Sequence, residues 1–351
     1  MTSSTTPTDE PVRLQDVAAE AGVSLATADR VLNGRAGVRE RTAQKVHAAA
    51  QRLAYRPDPA AARLARARPW RLAFLLPEGS NSFVALLRAE LEALAPWLAE
   101  HRAKASVVLA DEFAPVAAAQ AIAGLKGQAD AAVLMCQDHP LVRHAIEELA
   151  ASGTTVVTLV SDVPTPARTQ FVGIDNVAAG RTAGTLLGRF VPPRHGRARV
   201  GVVLGSRWLR DHAERLFGFQ QVLAAEHPHI ELVEPLEGRD QSELTEPLVR
   251  HLLERTPDLA GLYSIGAGNR GIAAALRGSG AAGRVVWVCH ELTAHARLAL
   301  LDGTATAVIN QSAAREVRAA CRVALQQLAR ERVLPGEDRI RIEIFLKDNL
   351  P

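Results

Sequence analysis

The sequence predicts a small all-α helix-turn-helix head followed by a larger α/β unit of two lobes built on parallel sheets. Three observations predict it. The chain has 351 residues, too many for one ordinary domain and suited to two or three. Between Leu14 and Tyr55 the apolar residues fall only at helical spacing. From Arg71 onward, short unbroken apolar runs alternate with amphipathic helical stretches, the pattern of parallel strands covered on both faces.

The first observation gains content when the charge is divided. The formal charge is +3, yet residues 11–70 hold eleven Lys/Arg and five Asp/Glu. Residues 1–10 carry only Asp9 and Glu10, and the remainder is nearly balanced. A basic block confined to the first fifth of the chain attracts a polyphosphate partner, although a solvated charged face has the same composition. The Ser/Thr/Pro-rich residues 1–11 read as a disordered tail.

In the head, a helix is expected from about Leu14 to Ala21, a tight turn at Gly22 and Val23, and a second helix through Leu32 capped by Ser24. A third helix runs from about Glu40 to Ala54. Val17, Ala18, Ala21, Val23, Ala28, Val31, Val46, Ala50 and Leu53 would close one small core. The head spans 12–57, and a proline-bounded Ala/Arg segment at 58–69 reads as a connecting helix.

The larger unit, 70–351, offers strand candidates at 71–77, 105–110, 131–136, 154–160, 171–174, 198–205, 229–235, 259–265, 284–289, 305–311 and 339–345. Helical stretches fill most gaps, the first of them a single helix over 83–100. Three crossings between lobes are expected near 161–176, 289–293 and 310–313, where the alternation breaks into polar loops.

Several classes are disfavoured. Cys136, Cys289 and Cys321 are sparse, far apart and set in apolar runs, which fits a reducing compartment. The N-terminus has neither a basic n-region nor an apolar run. No uninterrupted apolar stretch of about 18 residues predicts a membrane span. The expectation is a cytoplasmic protein. The eleven His form no HExxH pattern, so neither a metal nor another cofactor is expected. No nucleophile–base set marks an enzyme, and the glycines of GAGNRG at 266, 268 and 271 lack the dinucleotide-binding spacing.

Asp16, Val17, Ala18, Ala21, Gly22, Val23, Ser24, Thr27, Arg30, Val31, Leu32, Asn33 and Gly34, then Leu53, Tyr55 and Pro57, fall in one ordered pattern. That pattern closely resembles the DNA-binding head of the lactose-repressor (LacI) family. The resemblance implies that the second helix enters the major groove of double-stranded DNA. Leu25 and Ala26 would then meet base edges through apolar contacts alone. Arg30 is placed to bond guanine in bidentate fashion, or else a phosphate. Ser24, Thr27, Asn33, Thr42 and Tyr55 match positions near the backbone, where capping or packing is the other reading. Asp29 departs from the family's usual Ser, which bears on operator sequence. Leu64 matches the leucine that wedges into the minor groove from a hinge helix, the alternative being linker packing. Family operators are pseudo-palindromes, which implies a homodimer or a tetramer.

The rest of the chain resembles the type I periplasmic-binding-protein-like effector domain of the same family. Ligands of such folds lie at the carboxyl ends of the strands. The residues placed there are Asn81, Phe83, Asp138, Asp175, Arg215, Asn269, Glu291 and Gln311. Cys289, His290 and Glu291 stand where most members have Gly, an aromatic and Asp. Polar groups converging on an apolar cleft suit a sugar or polyol. The implied function is a DNA-binding transcription regulator, chiefly a repressor, controlled by a carbohydrate-like effector. The alternative is a solute-binding protein without regulatory output.

Overall fold

The computed structural model describes residues 12–32, 37–53, 55, 68–192, 196–331 and 340–351. The chain divides into two compact units, Met1–Ala67 and Arg68–Pro351.

In the first unit, α1 (Leu14–Ala21) stops at Gly22, whose φ of 65° lets its N–H fold back onto the Ala18 and Ala19 carbonyls. Helix α2 (Leu25–Leu32) starts where the Ser24 hydroxyl accepts the Thr27 N–H at 3.2 Å. Helix α3 (Glu40–Arg52) crosses both. Val17, Ala18, Ala21, Ala28, Val31, Val46 and Ala49 form the buried core, with Val23, Ala50 and Leu53 packed at its edge. Ala49 joins the expected set because the third helix turns it inward. An Arg52–Glu20 ion pair at 3.0 Å ties α3 to α1 on the surface.

The second unit has two lobes. The first carries a parallel sheet in the order β2-β1-β3-β4-β5. Its strands are β1 (Trp70–Pro77), β2 (Ala103–Ala110), β3 (Ala131–Leu134), β4 (Thr155–Leu159) and β5 (Gln170–Val172). The single helix expected over 83–100 is two helices, α4 (Ser82–Ala93) and α5 (Ala95–Glu100). Pro96 cannot continue the hydrogen-bond ladder of α4 but suits the first turn of α5. Helices α6 (Pro115–Gly124) and α7 (Pro140–Ala151) pack together over the inter-strand connections.

The second lobe holds a seven-stranded sheet in the order β12-β11-β10-β9-β6-β7, with β8 paired to β6. Its strands are β6 (Ala198–Leu204), β7 (Ile230–Leu232), β8 (Leu236–Glu237), β9 (Gly261–Ser264), β10 (Val286–His290), β11 (Ala307–Asn310) and β12 (Glu343–Phe345). Only β12 runs antiparallel to its neighbour, closing one edge. The helices of this lobe are α8 (Asn176–Phe190), α9 (Arg210–Glu226), α10 (Ser242–Arg255), α11 (Asn269–Gly278) and α12 (Ala294–Leu301). Helices α8 and α9 pack backbone to backbone: a Cβ on Gly180 would overlap the Arg215 carbonyl, and one on Gly218 the Val177 carbonyl.

The chain crosses between lobes three times. It leaves the first sheet after β5 and returns after β11, when α13 (Ala313–Leu328) packs on α4 and β4. It crosses back to β12 after α13. The crossing expected at 289–293 is not there. The Glu291 N–H bonds the Ile309 carbonyl at 2.9 Å, and the Leu292 N–H bonds Asn310 Oδ1 at 3.0 Å. These tie the segment to β11 of the same lobe.

Candidate functional site

The first unit presents the α2 surface. Ser24, Leu25, Ala26 and Arg30 are exposed and Thr27 is half-buried, whereas Ala28 and Val31 face the core. This follows from helical spacing: the two inward residues lie three apart, and the intervening positions turn outward. The Ser24 and Thr27 hydroxyls are 2.8 Å apart, so both are already engaged at the helix start. Thr42 and Tyr55 are half-buried, and Tyr55 packs against the small core. Asn33 and Leu64 lie outside the described residues.

The second unit presents a cleft between its lobes. Its floor is built from loops at the carboxyl ends of strands, as the doubly wound topology requires. The first lobe supplies Asn81, Phe83, Met135 and Val160. The second supplies Asp211, His212, Arg215, Asp240, Asn269, His290, Glu291 and Gln311.

Arg215 is the centre of the polar set. It is 2% exposed, on the inner face of α9. Its Nε donates to Asn176 Oδ1 at 2.8 Å and its Nη1 to the Ile265 carbonyl at 2.9 Å. Nη2 is buried without a protein partner, on a residue that lines the cleft. A fixed guanidinium with one free edge is a ready donor to a ligand oxygen.

Around it the acceptors are held in place. Glu291 accepts from Gln311 Nε2 at 2.8 Å. Burial pushes its carboxyl up to about 7, against the opposing pull of Arg215 and the Gln311 bonds. Asn269 accepts from Ser264 and donates to the His290 carbonyl at 2.9 Å. The His290 Nε2 pairs with the Tyr263 hydroxyl at 2.8 Å, and burial first, then Arg215, holds that ring well below the usual imidazole range. Asn81 caps α4 through its side chain, which turns Phe83 inward to 5% exposure. Three lining residues, Val160, Asp240 and Glu291, have left-handed backbones with φ of 63°, 54° and 67°. Such conformations cost about 1–3 kcal/mol each and collect at binding sites.

Six of the eight residues expected at the cleft line it: Asn81, Phe83, Arg215, Asn269, Glu291 and Gln311. Two do not. Asp138 is clamped by Arg143 at 2.6 and 2.7 Å and lies 3.5 Å from Arg210 of the other lobe. Its oxygens are committed to guanidinium groups outside the cavity. Asp175 is exposed and caps α8, accepting the Ala178 N–H at 2.9 Å. Its neighbour Asn176 is the residue that turns inward, to Arg215. Asp211, His212 and Asp240 were not expected in the wall. Asp211 and His212 resemble an ordinary polar first turn, and Asp240 faces inward only through its left-handed backbone.

Among the described residues, no group of three or more His, Cys, Asp or Glu could hold a metal ion. No described helix is long and apolar enough to cross a membrane.

Two interleaved lobes with a polar cleft at the strand ends define a periplasmic-binding-protein-like receptor. Residues 72–332 match the periplasmic binding protein domain, and residues 13–58 match the lacI family of bacterial regulatory proteins. Over most of its length the chain belongs to the periplasmic binding protein domain family, and it carries a lacI-family helix-turn-helix domain ahead of that domain. Catabolite control protein A of Streptococcus mutans is 38% identical over 88 residues, 25% of this chain and 26% of that protein. The aligned part thus spans about a quarter of that curated relative. A solute-binding protein of Burkholderia graminis in complex with D-arabinose superposes with a TM-score of 0.74 at 20% identity, covering 81% of this chain and 97% of that one. GanP, a glucose-galactose binding protein of Geobacillus stearothermophilus, gives 0.72 at 19% identity over 81% and 99%.

Proposed function

We propose that this chain is a DNA-binding transcription regulator whose operator affinity is set by a sugar or polyol held between the lobes. The observation that carries the reading is the Arg215–Glu291–Gln311–Asn269 set, buried at the strand ends and left with a free guanidinium edge. Each buried polar group there would be costly to leave unpaired, and a polyhydroxylated ligand supplies both donors and acceptors. The complexes of the fold's relatives with D-arabinose and their naming as glucose-galactose binders support the same ligand class.

The head supplies the output. Leu25 and Ala26 meet bases by apolar contact, Arg30 bonds guanine, and Ser24, Thr27, Thr42 and Tyr55 set the backbone register. Asn33 and the Leu64 wedge complete the interface. Two chains bind a pseudo-palindromic operator as a homodimer in the cytoplasm. Closure of the lobes on ligand changes the ability of the paired 58–69 segments to form on DNA.

The test is operator binding by fluorescence anisotropy with and without a panel of sugars and polyols. One of them should shift the apparent Kd about tenfold, and Arg215→Ala should abolish that shift while keeping operator binding. A protein that binds sugars but prefers no palindromic duplex over random competitor would be a solute receptor only.

A further inference from the structure

One wall of the cleft has a chemistry that a neutral sugar does not answer. Asp211, His212 and Asp240 all line the cavity and are 5%, 3% and 7% exposed. The His212 Nδ1 accepts the Gly205 N–H at 3.1 Å, which places the ring proton on Nε2. That Nε2 has no acceptor within hydrogen-bond distance. The carboxylates beside it are Asp211, with Oδ2 at 3.7 Å, and Asp240, with Oδ2 at 3.8 Å. Two carboxylates therefore flank one imidazole N–H with a gap between them.

The gap is built. A Cβ on Gly205 would stand 2.6 Å from Asp240 Oδ1 and 2.8 Å from His212 Cε1, and one on Gly266 would overlap the same two groups. Both positions keep the wall open by lacking a side chain. Asp240 is held by the Ala267 N–H at 2.9 Å and follows Arg239, so two consecutive non-glycine residues take left-handed backbones, with φ of 48° and 54°. That arrangement costs conformational energy and directs one carboxylate into the cavity.

The charge around it is compensated only in part, by His212 and by Arg215 acting on Asp240 from beyond 4 Å. Among the described residues, His212 alone lies within 4 Å of Asp211 or Asp240 as a basic partner. Arg215 hydrogen-bonds only neutral groups, Asn176 and the Ile265 carbonyl, and its one charge is shared between Asp240 and Glu291, while Arg270 pairs with Glu243 and Arg239 with Asp111 at 3.7 Å. Across the cleft, Glu112 is also buried, and burial together with the charges of Asp240, Asp211 and Asp111 holds its carboxyl well above the usual range. A hydroxyl can satisfy one carboxylate but leaves the excess negative charge buried.

We infer that the effector is a polyhydroxylated amine, an amino sugar or aminopolyol, whose ammonium sits between Asp211 and Asp240 while a neighbouring hydroxyl oxygen accepts the His212 Nε2–H. The inference rests on the effector reading of the cleft and names the effector's charge. The ammonium supplies charge-assisted hydrogen bonds to both carboxylates, and Arg215 Nη2 takes a hydroxyl at the other end of the ligand.

The experiment measures binding to the full-length protein at pH 7 by calorimetry and thermal shift, using matched pairs. These are D-glucosamine with D-glucose, D-galactosamine with D-galactose, and 1-amino-1-deoxy-D-sorbitol with D-sorbitol. N-acetyl-D-glucosamine removes the charge while keeping the nitrogen. The amine member of at least one pair should bind about tenfold more tightly or better, and acetylation should abolish the gain. Asp211→Asn and Asp240→Asn should each shrink the preference about tenfold. In the second variant the new amide oxygen can still take the Ala267 N–H, so the loop keeps its anchor. Equal or tighter binding of the neutral members overturns the inference and leaves the sugar reading standing. A response to no member of any pair counts against both.

Discussion

The two units solve opposite problems. In the head, the buried residues are valines and alanines, and Ser24 and Arg30, which we propose meet DNA, are exposed. In the two-lobed unit, the polar groups assigned to ligand are buried: Arg215, Asn269, His290, Glu291 and Gln311 are all under 8% exposed. Surface readout separates recognition from folding, so a head residue such as Arg30 can change without touching the core. In the cleft the same side chains recognise ligand and satisfy each other. Removing one leaves its partners unpaired in the interior, at about 1–3 kcal/mol for each orphaned group.

The glycines of the two units differ in the same way. Gly218 has right-handed helical backbone, and its constraint is steric: α8 lies against it with the Val177 carbonyl where a Cβ would be. Gly22 has open space around it, and its constraint is conformational, a φ of 65°. Gly218→Val should therefore give the largest loss, about 3 kcal/mol, because two packed helix backbones must separate. The four tryptophans, at 70, 97, 208 and 287, all lie in the two-lobed unit, so urea titration followed by tryptophan fluorescence reads that unit alone. A midpoint unchanged from the parent would mean that α8 and α9 do not pack as closely as described.

How much of this was legible in the sequence follows from how local each feature is. The head was legible because its signals lie in one contiguous stretch: Ser24 as a cap, Gly22 as a stop, and apolar residues three and four apart. The strands were legible because residues buried on both faces form unbroken apolar runs, as in Arg71–Pro77. Within the cleft, Arg215, Asn269, Glu291 and Gln311 were legible as polar residues just after strands or on a nearby helix face. Asp138 and Asp175 satisfied the same criterion and were misplaced by local chemistry: Arg143 lies one turn beyond Asp138, and Asp175 caps its own helix. Asp240 was illegible for the converse reason. Nothing in GRDQ announces two left-handed residues, and without them its carboxylate would not reach the Ala267 N–H.

A second contrast is in titration. Among the described residues of the head, no acidic or basic side chain is buried. The cleft unit buries Glu291, Glu316, Glu112 and Asp240, and burial raises the carboxyl of each. A carboxyl that binds its proton more tightly folded than unfolded stabilises the fold at low pH. That contribution is lost as pH rises from the ordinary carboxylate range toward the folded value, which for Glu291 is about 7. Asp130 acts in the opposite sense, since the bonds and charge of Arg68 and Arg71 outweigh its burial, but its effect falls below that window. Buried His290, held well below its usual range, works against this over the same interval, so the acids are read by difference: Glu291 alone should account for a fall in fluorescence-monitored stability on the order of 2 kcal/mol between pH 5 and 7.5. Glu291→Gln should flatten the slope. A slope left unchanged by Glu291→Gln would show that this carboxyl is not buried as described.

The smallest effect is the most specific test of the head. At Gly22 the chain must take a left-handed turn so that α2 leaves α1 at an angle, with the Val23 N–H bonding the Ala18 carbonyl at 3.0 Å. An alanine there meets no atom within 4 Å, so sterics with neighbours contribute nothing. What remains is the intrinsic cost of a Cβ at positive φ, partly offset by a stiffer unfolded chain, for a net loss of about 1 kcal/mol. Asparagine visits the left-handed region more readily, so Gly22→Asn should lose less than Gly22→Ala. Both should weaken operator binding in that order while leaving the tryptophan-monitored transition where it was. Equal losses for Ala and Asn would mean that the turn is held by something other than backbone conformation. The contrast between a conformational glycine in the head and a steric one in the cleft unit would then fail at its first member.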